Sequence, residues 1–163
     1  MDRFSGLRPI LVIILVVAAI FGVGRLAAWI YTTSVVNQAL ADGVFPTAED
    51  AMLNMLRENY TSITDIDIIN AGPDSHDGSQ PYVWYVTAEV RAASRADGSE
   101  MGHNGCDAPG TFFFQTHEGW FHVPEGPMTS FLAGWMSEFG LAGPGQTQPS
   151  TDVTDGRPFQ FCQ

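Results

Sequence analysis

The sequence predicts an α+β protein, with a single N-terminal transmembrane helix followed by a small antiparallel sheet of about four strands packed by two helices. Three observations carry that expectation. Residues 9–24 contain no charge, two later segments repeat apolar residues at spacings of three and four, and the stretches between them alternate with a period of two. At 163 residues the chain has room for an anchor and one domain of ordinary size, and not for a second full domain.

The first element is the anchor. Residues 9–24 would make about 24 Å of helix, short of the roughly 30 Å hydrocarbon core, whereas extension to Tyr31 gives enough length. That extension carries Arg25, whose long stem can run through apolar surroundings while its guanidinium reaches the headgroups. Trp29 and Tyr31 then fall where an interfacial aromatic belt would sit, so Arg25, Trp29 and Tyr31 are the expected interfacial anchors. A cleaved signal peptide is the alternative, with residues 22–24 (Gly-Val-Gly) as its best small-x-small site, a weak one. Arg3 and Arg8 precede the run, so the positive-inside preference puts residues 1–8 in the cytoplasm and everything after the span outside the cell membrane, although Arg25 pulls the other way. Ala18, Ala19, Gly22 and Gly24 form a small-residue strip that would let another helix approach closely. Beyond the span, residues 32–45 lack proline and glycine until Gly43, which predicts a helical stalk and linker.

The domain, residues 46–141, opens with a helix. Thr47 is placed as its N-cap, and Glu49 and Asp50 suit the positive end of the helix dipole. Ala48, Met52, Met55, Leu56 and Tyr60 make one apolar stripe. Residues 62–70 alternate as a strand, with Ile66 and Ile68 opposite Asp65 and Asp67. Residues 71–81 are turn chemistry. The next strand is the clearest, with Tyr82, Trp84, Val86, Ala88 and Val90 sharing the face expected to be core. A long polar loop precedes a hairpin in which Phe112, Phe114, Phe121 and Val123 point one way if residue 117 pairs with 120. A second helix over residues 128–139 places Phe131, Leu132, Trp135, Met136 and Phe139 on an apolar face, with Gly140 as its cap. Residues 142–163 read as an irregular tail. Over residues 46–140 this order of elements resembles that of small cystatin-like or cone-like domains, which implies a sheet with one face buried under the helices and the other partly open.

Composition narrows the function. The formal charge is −11, and all seven basic residues are arginines. An acidic domain of this kind repels nucleic acid, so no nucleic-acid partner is expected. Cys106 and Cys162 are the only cysteines, and in an oxidising compartment they could pair, closing a loop of about 57 residues. His103 with Cys106 and a hairpin histidine, His117 or His122, could in principle hold zinc, but a lone His-x-x-Cys has no second paired motif. Cys106 as a nucleophile beside His103 is opposed by Glu100 and Asp107, which disfavour a thiolate. Asp74, His76 and Asp77 lack EF-hand spacing and read as a turn. Asn59-Tyr60-Thr61 fits a glycosylation sequon, but at a helix end. Asp65 and Asp67 read as solvent-facing carboxylates. No catalytic residue, metal or cofactor is therefore assigned.

The remaining lead is aromatic. Tyr85, Phe113 and Trp120 could form an exposed patch that docks another protein. The expectation is a single-pass, membrane-anchored extracytoplasmic protein that acts without catalysis, as an accessory or stabilising subunit of a membrane protein complex. Its partners would be the lipid bilayer and one or more integral membrane proteins. An anchored ligand-binding or sensor domain is the alternative, and an anchored enzyme or metal-binding protein the third.

Overall fold

The computed structural model describes residues 7–73, 80–102, 105–124, 126–145, 151–152 and 162. Among the described residues, three helices and six strands follow in the order α1 (Leu7–Asp42), α2 (Ala48–Asn59), β1 (Tyr60–Pro73), β2 (Val83–Arg95), β3 (Cys106–Asp107), β4 (Gly110–Gln115), β5 (Trp120–His122), α3 (Thr129–Glu138) and β6 (Thr151–Asp152). The strands form one antiparallel sheet in the order β5-β4-β2-β1-β6, with β3 pairing β2 beyond β4. Six strands replace the expected four. The two extra strands are two residues each, too short to leave an alternating signature in the sequence.

The long β1–β2 pair sets the curl of the sheet. Its register shifts between Ile63 and Asp65 and again between Ile68 and Asn70, so β1 carries an additional residue at each place. Bulges of this kind bend a strand and increase its twist. Thr64, the first additional residue, donates its hydroxyl to the Arg91 carbonyl at 3.0 Å. The hairpin β4–β5 pairs Phe113 with His122, Phe114 with Phe121 and Gln115 with Trp120. Its turn is therefore residues 117–118, two positions from the expected register. An even shift leaves every side chain on its expected face.

Helix α2 forms as its sequence dictates. The Thr47 hydroxyl accepts the Asp50 N–H at 3.0 Å, and Ala48, Ala51, Met52 and Leu56 are buried. They pack on Trp84, Val86, Ala88, Val90, Phe113 and Trp120, with Ile63, Ile66 and Ile68 at the margin. Each large apolar side chain buried here contributes about 1.5–3 kcal/mol.

The second core lies on the opposite face of the sheet. Val83, Phe114 and Phe121 meet Leu132 and Met136 of α3 and Val36 of α1, with Tyr31, Val35, Ala39, Leu40 and Val44 packed around them. The two domain helices thus cover opposite faces, which corrects the expectation of one covered and one open face. The reason is that β2 is apolar at Val83 as well as at Trp84, so neither face can be left to water at that end. Residues 32–45 are likewise no free stalk, because this part of α1 is a wall of the domain. Gly43, at φ +106°, ends α1, and the chain then rounds the β5 edge to reach α2 on the other side. Phe45 and Trp120 exchange two backbone hydrogen bonds on the way, at 2.9 and 2.7 Å.

Helix α3 ends as expected at Gly140, in the left-handed conformation at φ +68°. The Leu141 N–H bonds the Met136 carbonyl at 2.8 Å and the Gly140 N–H the Ser137 carbonyl at 3.2 Å. This paired arrangement satisfies carbonyls that the helix end would otherwise leave open.

Candidate functional site

Helix α1 changes character along its length. Among residues 10–23 the large apolar side chains are between 45% and 70% exposed. The helix is long and apolar enough to cross a membrane. From Ala28 onward the same unbroken helix enters the core, with Ala28, Thr32 and Val36 buried. Thr32 is tolerated there because its hydroxyl bonds the Ala28 carbonyl at 2.8 Å, leaving its methyl to pack.

Where the two regimes meet, α3 lies against α1. Ile20, Phe21, Gly24, Arg25 and Ala28 on one side and Trp135, Glu138 and Phe139 on the other line an open cleft of about 310 Å³. Arg25 pairs with Glu138 at 2.5 Å. Tyr31 meets Trp135 edge-on with centroids 6.0 Å apart, and Phe131 stacks on Trp135 at 5.6 Å. Phe131 is 57% exposed and Met128 39%.

The expected anchors divide accordingly. Trp29 is exposed, whereas Tyr31 is half-buried against α3, and Arg25 has a partner on the domain. Ala18, Ala19 and Gly22 are exposed. With successive residues advancing by about 100°, Ala19 and Gly22 lie round the helix from Ile20, Gly24 and Ala28, while Ala18 shares the face of Arg25. Gly24 belongs to the α3 cleft instead. A Cβ at Gly22 would meet no atom within 4 Å.

The aromatic patch is corrected. Phe113 and Trp120 are 0% exposed, and of the three only Tyr85 reaches solvent, its ring tilted against Phe112 with centroids 4.9 Å apart. Phe113 and Trp120 occupy the α2 side of their strands, where Met52 and Leu56 need large partners. Trp84 and Trp120 meet edge-on at 5.5 Å in the α2-side core, while Phe114 and Phe121 fill the other, so the aromatic surplus is divided between two cores.

A second cluster lies at the far end of the β1–β2 pair. Asp107 takes both ends of the Arg95 guanidinium, at 2.6 Å each, and accepts the Gly102 N–H at 2.9 Å. Arg95, its bonding hydrogens shared with Asp107, is held above the ordinary arginine range, and the same contact holds the Asp107 carboxyl below the usual carboxylate range. Burial, then Asp107, pushes the Tyr60 hydroxyl up to about 12. Cys106, adjacent, lies at bonding distance from Cys162, with Cα atoms 5.2 Å apart. The cluster fastens a loop and the C-terminal tail to the sheet.

Cys106 is thereby removed as a thiolate ligand or nucleophile. His103, Asp74, His76 and Asp77 lie outside the described residues. His117 is exposed at the hairpin turn, while the His122 ring lies 3.1 Å from the Thr111 hydroxyl and beside Phe113. Among the described residues no three metal-ligating side chains converge. Asp65 and Asp67 are exposed. No protein-family model, curated protein or solved structure matches the chain.

Sequence reasoning missed two pairings, Arg25 with Glu138 and Arg95 with Asp107. The first had a signal, because Glu138 is the single charged residue of 126–151 in a chain of net charge −11. The second had none, since it depends on a loop returning to the sheet.

Proposed function

We propose that the chain is a single-pass membrane-anchored protein whose α+β domain, with an element order like that of cystatin-like or cone-like domains, stands outside the membrane and serves as a non-catalytic accessory subunit of a membrane protein complex. The observation that carries this reading is the continuity of α1. One helix is bare and apolar over residues 10–23 and core over residues 28–36, so an anchor built this way holds the domain in a fixed pose instead of on a tether. A fixed pose is useful to a subunit that must present one surface to a neighbour.

Arg3 and Arg8 before the span favour a cytoplasmic N-terminus. The Cys106–Cys162 pairing suits an oxidising outer compartment. The open strip of Ala18, Ala19 and Gly22 offers a partner helix close backbone approach.

Extraction in mild detergent followed by affinity capture of the full chain tests the reading. A stoichiometric integral membrane protein is expected to co-purify, and Gly22→Leu, which blocks the strip at a position where a Cβ meets no atom within 4 Å, should reduce its yield. A lone monomer with a small molecule in it would favour a ligand-binding or sensor domain instead.

A further inference from the structure

We infer that α3 is an interfacial helix seated against the outer leaflet of the bilayer, so that Phe131, Trp135 and Phe139 contact lipid. This rests on the membrane-anchored reading of α1 and adds to it where the domain sits. The argument begins with length. Arg8 immediately precedes the apolar run, and a span starting at Pro9 needs about 20 residues to cross roughly 30 Å of hydrocarbon, which brings it to about residue 28. Yet Trp135, Glu138 and Phe139 line the same cleft as Ile20, Phe21, Gly24, Arg25 and Ala28. At 1.5 Å per residue, those positions occupy about the last 12 Å of the crossing. The end of α3 is therefore level with the outer leaflet.

The chemistry of α3 fits that depth. In a chain of net charge −11, residues 126–151 carry one charge, Glu138. That charge is paired with Arg25, and an ion entering a membrane is tolerated when paired in this way. Phe131 at 57% exposure and Met128 at 39% are costly in water, and they flank a tryptophan whose amphipathic ring suits the headgroup level. Buried on the other side, Leu132 and Met136 hold the helix to the domain, so the outward face is free to meet lipid. That face is also continuous with the exposed Phe21 of the span, which makes lipid its natural occupant.

The test uses the full chain with Trp29→Phe, reconstituted in phosphatidylcholine vesicles. Trp29 is exposed, so its replacement leaves the core alone. Trp84 and Trp120 are fully buried, which makes Trp135 the tryptophan that lipid can reach. Acyl chains brominated near the headgroup should quench part of the emission, and the added change Trp135→Phe should abolish that loss. Flotation of the vesicles in carbonate separates the two readings. Protein that floats without quenching overturns the placement of α3 alone, whereas protein that washes off overturns the anchor and the placement together. In native membranes, p-benzoylphenylalanine in place of Phe131 should yield a phospholipid adduct. An adduct to another protein would overturn the lipid assignment.

Discussion

Asp107 receives both arms of the Arg95 guanidinium, Nε on Oδ2 and Nη2 on Oδ1, one residue after the cysteine that ties down the tail. The folded carboxyl consequently holds its proton less readily than the unfolded one, chiefly through Arg95 and further through the Gly102 N–H. A depressed folded value stabilises above the unfolded value of about 3.9, and the contribution is lost as pH falls through the folded one. Asp107→Asn should lower the urea midpoint at neutral pH and narrow its deficit against the parent chain in acid. A deficit that stays constant across the acid range would remove this ion pair from the pH response.

Tyr60 works in the opposite direction. Burial and the neighbouring Asp107 raise its hydroxyl from 10.0 to about 12, so the folded chain keeps a proton that the unfolded chain releases. The stabilisation is complete below pH 10.0 and disappears as pH climbs through about 12. Tyr60→Phe should flatten that alkaline decline in a urea series.

Opening the Cys106–Cys162 link releases a long loop, since the two residues are 56 positions apart. Loop-entropy arithmetic assigns the link about 4 kcal/mol. Cys162→Ala should lower the unfolding free energy by that order, and a reductant should do the same to the parent chain while leaving the variant unmoved. Equal sensitivity of both chains to reductant would contradict the pairing.

Two residues five apart on α3 should behave differently. Met136 is fully buried between the sheet and α1, so Met136→Ala is expected to cost about 2–5 kcal/mol. Phe131 touches Trp135 alone among the described ring contacts and is largely exposed, so Phe131→Ala in detergent should stay within about 0.5 kcal/mol. Thermal unfolding of both variants checks the contrast.

Much of this architecture could be read from local chemistry. The Thr47 cap, the stripe of α2 from Ala48 to Leu56, the Gly140 terminus and the face of β2 from Trp84 to Val90 are each set by neighbours a few residues away, and the structure has each of them, whereas Tyr60 opens β1 and Tyr82 packs in the opposite core. The loss of the Tyr85–Phe113–Trp120 patch shows where such reading stops. Alternation reports that a strand has two faces, but only tertiary packing decides whether both are covered. Here Val83, Phe114 and Phe121 recruit α1 and α3, and that turned an expected stalk into a domain wall. The Arg25–Glu138 contact spans more than a hundred residues of sequence, so periodicity cannot report it, although the isolation of Glu138 among neutral residues marks it as unusual.

The connector that rounds the sheet does one more thing. A bare outer strand offers unpaired amide groups on which a foreign strand can grow. Phe45 already engages both backbone groups of Trp120 on the outward side of β5. A second copy could extend the sheet there only by displacing Phe45, which is held between the end of α1 and the cap of α2. The fold thereby shields this border from runaway strand addition.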